Sequence, residues 1–143
     1  MISTQLQKYL DEYEESHKHS VNLTIHKIAI PFIVFHFFAM FSWITVFHFH
    51  SYVITLGEVA AVVLFVFYLG LNIKYAIYMG IFVVLCLFVA SKTPVWCVLT
   101  IAVVAWGAQF LGHGVWEKKS PAFSKNLVQL LIGPIFVMHE LNL

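Results

Sequence analysis

A run of twenty residues without Asp, Glu, Lys or Arg, Ile28 to Phe47, most constrains what this chain can fold into. A helix of that length covers about 30 Å, the thickness of the hydrocarbon core of a bilayer. Three more apolar runs follow at 52–71, 75–90 and 95–112. The pattern predicts an all-α integral membrane bundle of about four transmembrane helices, in a single domain spanning 1–143.

Composition supports a lipid environment, because 61% of the residues are apolar and only 10% are charged. The net charge of +1 and the absence of a lysine stripe give no case for nucleic-acid binding. No arginine is present, so the chain has no guanidinium to clamp a carboxylate. Cys86 and Cys97 lie singly in apolar runs, which indicates packing residues rather than a thiolate metal site.

The polar residues lie in two terminal segments that flank the spans at 28–112. In the arm at 1–27, Ile2, Leu6, Tyr9, Leu10 and Tyr13 have helical spacing, which predicts an amphipathic helix on the membrane surface or against the bundle, capped by Ser3 or Thr4. In the segment at 113–143, Gly133-Pro134 is expected to break the helix into two short pieces. That segment should fold back over the bundle and return Glu140 towards the histidines.

The lysines predict the orientation in the membrane. With four spans, one side carries all of them except Lys92, namely Lys8, Lys18, Lys27, Lys74, Lys118, Lys119 and Lys125. The positive-inside rule then predicts that both termini are cytoplasmic, in a bacterial inner membrane or the endoplasmic reticulum. No cleavable signal peptide is recognisable, so the first span should direct insertion. His17, His19, His26, His113 and Glu117 thereby come to one membrane face, and His48 and His50 to the other.

Read as a helix, Gln109, His113 and Glu117 lie four residues apart on one face. This polar face is typical either of a helix leaving the membrane or of a metal site. Imidazole and carboxylate together suit iron, zinc, nickel or copper, and few protein ligands with open positions suit non-haem Fe(II). The chain has neither a glycine-flanked nucleophilic serine nor a phosphate-binding glycine loop.

Two blocks of the sequence resemble a known family. They are His17-x8-His26-x4-Pro31, with Asn22 between the histidines, and Gln109-Phe-x-Gly-His113-Gly-x-x-Glu117-Lys-x-x-Pro121-Ala122, followed by Asn126-Leu-Val-Gln129 and Pro134-x-Phe136-x-Met138-x-Glu140. In this order they resemble the small membrane family of Fe²⁺-dependent 2-hydroxy fatty acid dioxygenases that act in phytosphingosine breakdown. The resemblance covers nearly the whole chain.

The resemblance implies α-oxidation of a long-chain 2-hydroxy fatty acid by O₂, which leaves a fatty acid one carbon shorter. It implies Fe²⁺ held by His17, His26 and His113, with catalytic acids at Glu117 and Glu140. Asn22 and Gln109 are then expected to hydrogen-bond to the ligands. His19 and His139 depart from the family pattern and are not expected in the site. The pattern specifies neither the acyl-chain length nor an oligomeric state.

Two other interpretations remain at this stage. Helix bundles also build metal and haem sites that perform no catalysis, and such a protein would prefer histidines at helix centres, where only His36 lies. A structural membrane protein with interfacial histidines would show the same composition. His36 itself is predicted to be a neutral, hydrogen-bonded packing residue.

Overall fold

A computed structural model describes residues 3–124 and 126–143, so the predictions that involve Ile2 and Lys125 lie outside the described residues. The chain forms two compact units. The terminal unit combines the N-terminal segment up to Phe32 with Val103–Leu143, and the central unit is Ile33–Ala102. The described helices are α1 (Thr4–Glu15), α2 (Ser20–Phe41), α3 (Leu56–Leu71), α4 (Ile73–Ala90), α5 (Val95–Leu111) and α6 (Val128–Glu140).

The first helix, α1, is amphipathic as predicted and packs against α6. Ser3 caps it, because the Ser3 hydroxyl accepts a hydrogen bond from the backbone N–H of Leu6 at 3.2 Å. Leu6, Leu10 and Tyr13 are buried along one face. The apolar stripe of α1 therefore lies against protein.

Three helices are long and apolar enough to cross a membrane: α2, α4, and α5 together with its continuation to Glu117. The predicted helical, membrane-type fold class is confirmed. The fourth predicted span corresponds to α3, which has 16 residues and a length of about 24 Å. That length is shorter than a typical hydrocarbon core.

The prediction of one helix from Ile28 to Phe47 is wrong at its C-terminal end. The helix stops at Phe41, and a hairpin follows, made of β1 (Thr45–Phe49) and β2 (Tyr52–Thr55). β-Branched residues are frequent in both strands and favour extended backbone. His50, with φ of 55°, supplies the left-handed residue of the tight turn. Hydropathy alone does not separate an apolar strand from an apolar helix, which explains the error.

The predicted break at Gly133-Pro134 is also wrong, since α6 continues from Val128 to Glu140 with Pro134 inside it. A proline within a helix removes one backbone hydrogen bond. Burial of Ile132, Ile135 and Phe136 offsets that loss, because these side chains pack in the interior of the terminal unit. Tertiary packing thus outweighs the local preference.

The central unit has an apolar interior. Ala39, Ala90 and Val98 form a buried cluster against which Phe35 and Met40 pack. Small side chains at such positions allow the helix backbones to approach closely, as is usual in membrane bundles. Two of its helices, α3 and α4, meet at Asn72, whose side-chain oxygen caps α4 by accepting from Lys74 N at 2.9 Å.

Candidate metal centre

Three buried histidines converge in the terminal unit. His17, His26 and His113 are each only 2% exposed, and one potential ligand nitrogen from each lies within 4.8 Å of the others. Their rings stand edge to face, with centroids 4.3 Å apart for His17 and His26, 4.8 Å for His17 and His113, and 4.9 Å for His26 and His113. The structure therefore brings together the three histidines that the sequence singled out.

His17 lies in the short connection between α1 and α2, outside any helix. Its Nδ1 is 2.6 Å from the backbone carbonyl oxygen of Tyr13. A carbonyl can only accept, so Nδ1 carries the proton and Nε2 keeps its lone pair. Burial lowers the pKa of His17 to about 4, while the same hydrogen bond opposes that shift. Near neutral pH the imidazole is therefore uncharged.

His26 lies on α2 and repeats this arrangement. Its Nδ1 is 2.9 Å from the backbone carbonyl oxygen of Asn22, one turn earlier, so Nδ1 donates and Nε2 is again bare. The Nε2 atoms of His17 and His26 are only 2.9 Å apart. Because the Nδ1 protons of both rings are donated to backbone carbonyls, the lone pairs of the two Nε2 atoms face each other. They repel unless a cation or a proton lies between them.

His113 lies in a π-helix, Gly112–Glu117, which continues α5. The wider turn ends when the N–H of Lys118 donates to the carbonyl of His113 and Lys118 takes a left-handed φ of 52°. Short π-helical segments frequently occur at functional sites. The Nδ1 atom of His113 is buried and has no hydrogen-bond partner within the described residues. It is therefore a third imidazole nitrogen available to a ligand.

These features fit a divalent transition metal. Metal-bound histidines commonly donate their second ring N–H to a backbone carbonyl, as His17 and His26 do. Two nitrogens each about 2.0–2.1 Å from one ion and at right angles to each other are about 3 Å apart. The observed 2.9 Å matches that separation. A buried triad of imidazoles is thus suited to bind a metal ion.

Glu117, a predicted catalytic acid, joins the end of the π-helix to the start of α2. Its carboxylate accepts from the backbone N–H of His19 at 2.8 Å and from the side-chain amide of Asn22 at 3.2 Å. A carboxylate at a helix N-terminus satisfies an otherwise unpaired N–H and interacts favourably with the helix dipole. Glu117 is not part of the group of three ligand nitrogens.

Asn22 and Gln109, the two predicted hydrogen-bond partners of the ligands, are both buried. Asn22 acts in two ways, because its backbone carbonyl holds His26 and its side-chain amide holds Glu117. Its side-chain oxygen is buried without a partner within the described residues and lies directly over Gly112. A Cβ atom at 112 would overlap this oxygen, so the close approach of α2 and the π-helix requires glycine there.

Glu140, the second predicted acid, lies at the end of α6, where it forms an ion pair with Lys27. The Lys27 Nζ to Glu140 Oε2 distance is 3.1 Å, and both side chains are about one-third exposed. Glu140 is not part of the histidine group. Its predicted role in catalysis stays a prediction, while the structure shows it pairing α6 with α2.

The other histidines, His139 included, are not part of the group of three. His19 is exposed at the start of α2, and His48 and His50 are exposed on the hairpin. His36 is buried in the central unit, where its ring stacks on Phe37 with centroids 4.5 Å apart.

Sequence reasoning missed the aromatic support behind His17. The Tyr13 ring stacks on the His17 ring at 4.0 Å with the planes 7° apart, and Phe136 packs on Tyr13 at 4.7 Å. It also missed Gln129, whose amide donates to Glu12 at 3.0 Å and ties α6 to α1. The four-residue spacing of Tyr13 and His17 was the available signal.

Comparison with known proteins gives a consistent result. The family model described as "2-hydroxy-palmitic acid dioxygenase Mpo1-like" matches residues 3–143. The protein named 2-hydroxy-palmitic acid dioxygenase MPO1, from Saccharomyces cerevisiae, is 31% identical over 94% of this chain and 78% of its own length. No solved structure matches.

Proposed function

The chain belongs to the Mpo1-like family, and on that premise we propose that it is an Fe²⁺-dependent dioxygenase that oxidises long-chain 2-hydroxy fatty acids. The proposed products are the fatty acid one carbon shorter, CO₂ and water. In the balanced reaction, one molecule of 2-hydroxy acid and one of O₂ give one molecule of each product. The C1–C2 bond breaks, and the substrate supplies the four electrons that reduce O₂.

The observation that carries the proposal is the pair of bare Nε2 atoms 2.9 Å apart in His17 and His26, with a nitrogen of His113 within 4.8 Å of them. Protein interiors avoid buried lone pairs in mutual contact, since each unmatched polar atom costs free energy. A bound metal ion satisfies all three nitrogens at once. In a family of dioxygenases, the metal that best suits imidazoles and O₂ chemistry is iron.

Each side chain of the site has a role in this proposal. His17, His26 and His113 hold the metal, and the carbonyls of Tyr13 and Asn22 fix the ring tautomers of His17 and His26. Glu117 keeps the start of α2 against the π-helix through Asn22 and His19. Gln109, one turn before His113 and buried, completes the polar lining of α5. When bound, Fe²⁺ supplies a Lewis acid for the substrate and an electron source for O₂.

Substrate binding follows from the chemistry of a 2-hydroxy acid. The chain contains no arginine, and Lys27 is engaged by Glu140, so a metal is the best available partner for the substrate carboxylate. A 2-hydroxy acid offers its hydroxyl and carboxylate oxygens together as a chelate. The acyl tail then lies against the apolar helices in the bilayer.

We further propose that the protein is a multi-pass membrane protein with both termini in the cytoplasm. Three helices have membrane-spanning length, and α3 is the proposed fourth crossing, with local thinning of the bilayer around its 16 residues. Labelling of single cysteines introduced at Ser16 and at Ser51, in a Cys86→Ala/Cys97→Ala background, tests the orientation in sealed vesicles. The two positions should react from opposite sides.

Haem is a poor fit to this site. Two imidazoles on opposite faces of a haem iron place their ligand nitrogens about 4 Å apart, from metal–nitrogen bonds of about 2.0–2.1 Å. The observed 2.9 Å is too short for that arrangement. A non-catalytic carrier of a bare metal ion is the remaining alternative.

Turnover decides between the dioxygenase and the carrier. The full chain is purified without oxygen in detergent, loaded with Fe²⁺, and mixed with 2-hydroxypalmitate and O₂. We expect pentadecanoic acid to form with equimolar O₂ uptake, and His48→Ala, on the exposed hairpin, to behave as the unchanged protein. Stoichiometric Fe²⁺ binding without a shortened product would refute the dioxygenase function. The protein would then be a non-catalytic metal carrier.

A further inference from the structure

His17 differs from the other two histidines of the site in its backbone. His26 lies within α2 and His113 within the π-helix, so a hydrogen-bonded ladder fixes the direction of each side chain. His17 lies in the connection between Glu15 and Ser20, where a single turn-type hydrogen bond from its N–H to the Glu14 carbonyl, at 2.9 Å, replaces the ladder. A metal ligand on a connection needs other support, because a site works only when its ligands are held within a fraction of an ångström.

Tyr13 provides two kinds of contact to His17. Its backbone carbonyl accepts the Nδ1–H of His17 at 2.6 Å, which sets the tautomer. Its ring lies flat on the imidazole, with centroids 4.0 Å apart and planes within 7°, which sets the orientation of the ring. Both contacts leave Nε2 pointing at Nε2 of His26.

Tyr13 is itself held by α6. Phe136 of α6 packs on its ring at 4.7 Å, and the side chain of Tyr13 is only 5% exposed. Gly133, one turn before Phe136, leaves room for the phenol oxygen, because a Cβ at 133 would be 3.1 Å from that atom. The Tyr13 ring therefore contacts both Phe136 and His17, and the Phe136 and His17 rings lie 6.1 Å apart.

We propose that Tyr13 is a positioning residue for the metal ligand His17, and that Phe136 and Gly133 of α6 set its place. This inference rests on the proposed metal centre. Phe136 lies closer to the Tyr13 ring than to the imidazole, at 4.7 Å against 6.1 Å, so α6 influences the direction of Nε2 of His17 chiefly through Tyr13. The aromatic ring performs this task, and the hydroxyl is dispensable.

Two substitutions separate the ring from the hydroxyl. Tyr13→Phe keeps the stack and the backbone carbonyl, whereas Tyr13→Leu keeps bulk but removes the flat ring. With Co²⁺ as a spectroscopic probe, we expect Tyr13→Phe to bind like the unchanged protein. We expect Tyr13→Leu to bind at least about tenfold more weakly, with shifted visible bands, consistent with losses seen when outer partners of ligands are removed.

Leu10→Ala is the matched control, since Leu10 is equally buried one turn earlier on α1. It should lower thermal stability and leave the Co²⁺ spectrum unchanged. The proposal is overturned if Tyr13→Leu keeps the affinity and spectrum of the unchanged protein, or if Leu10→Ala shifts the spectrum equally. Absence of Co²⁺ binding in the unchanged protein would instead refute the metal centre, and with it this inference.

A second route remains if Tyr13→Leu does not fold. Gly133→Ala places a methyl group against the phenol oxygen and should weaken Co²⁺ binding, and adding Tyr13→Phe should restore it by removing that oxygen. The nearby Ile30 Cδ1, at 3.2 Å from the same Cβ, is the flexible end of a side chain that can move aside. Gly107→Ala, where a Cβ meets nothing within 4 Å, is the control. Unchanged binding in Gly133→Ala, or no rescue by Tyr13→Phe, contradicts the proposal.

Discussion

The terminal and central units bury different kinds of side chain. In the described residues, the buried side chains of the central unit are apolar except for His36 and the tyrosines Tyr68 and Tyr75. The terminal unit buries the other polar ones, namely His17, Asn22, His26, Gln109, His113 and Gln129. Burial of polar groups costs free energy unless they are matched. The contrast is the one expected if the terminal unit gives up stability for the proposed metal site.

The largest expected effect compares a buried histidine from each unit. His113→Ala should abolish metal binding and lower turnover by at least about 100-fold, because it removes a nitrogen that nothing else replaces. His36→Ala should lower thermal stability and leave the metal stoichiometry unchanged. Metal analysis of the purified variants measures both. If the His113→Ala variant kept its full metal content, the proposal that the terminal unit holds the metal through His113 would be wrong.

A pair of glycines in the π-helix sharpens the comparison. Gly112→Ala forces Asn22 away from its place, so overpacking of about 1–3 kcal/mol and a misplaced His26 should follow. Gly114→Ala, where an added Cβ meets nothing within 4 Å, should be close to neutral. Thermal unfolding and metal affinity of both variants provide the measurement. Equal behaviour of the two variants would contradict the close approach of α2.

Removal of the metal should make stability depend on pH through His17. Its pKa is about 4 in the folded protein against 6.5 when unfolded, so the unfolded chain takes up the proton first as the pH falls. The stability is complete above pH 6.5 and declines as the pH falls towards 4, by about 3 kcal/mol from this residue. Melting of the metal-free protein across this window tests it. His17→Gln should make the curve less steep, and His48→Ala should leave it unchanged.

The smallest effect is expected at Glu140. Its ion pair with Lys27 is partly exposed, and such pairs contribute about 1 kcal/mol or less. Glu140→Gln and Lys27→Met should therefore change stability slightly, and kcat by less than about threefold. A loss of kcat far beyond this in Glu140→Gln alone would show the catalytic role that the family resemblance implies.

Much of the fold and the histidine cluster could be predicted from sequence. Apolar runs predicted the helices because membrane spans have a fixed length, and the spacing around His17, His26 and His113 matched a known family. The hairpin after Phe41 could not be predicted, since charge-free strands and helices have the same hydropathy. The continuity of α6 through Pro134 could not be predicted either, because it depends on contacts with α1. The sequence showed Tyr13 as part of an amphipathic stripe four residues before His17, but it could not show the stacking of the two rings, which is a tertiary property.

The division of the terminal unit between the two ends of the chain has a consequence for how the protein can vary. His26 and His113 meet only when the whole central segment, Ile33–Ala102, closes as a loop. The entropy cost of closing a flexible loop grows slowly, by about 0.6 kcal/mol for each doubling of its length. Insertions in the connections between the central helices should therefore affect metal binding little, provided that the chain still returns to the same membrane face.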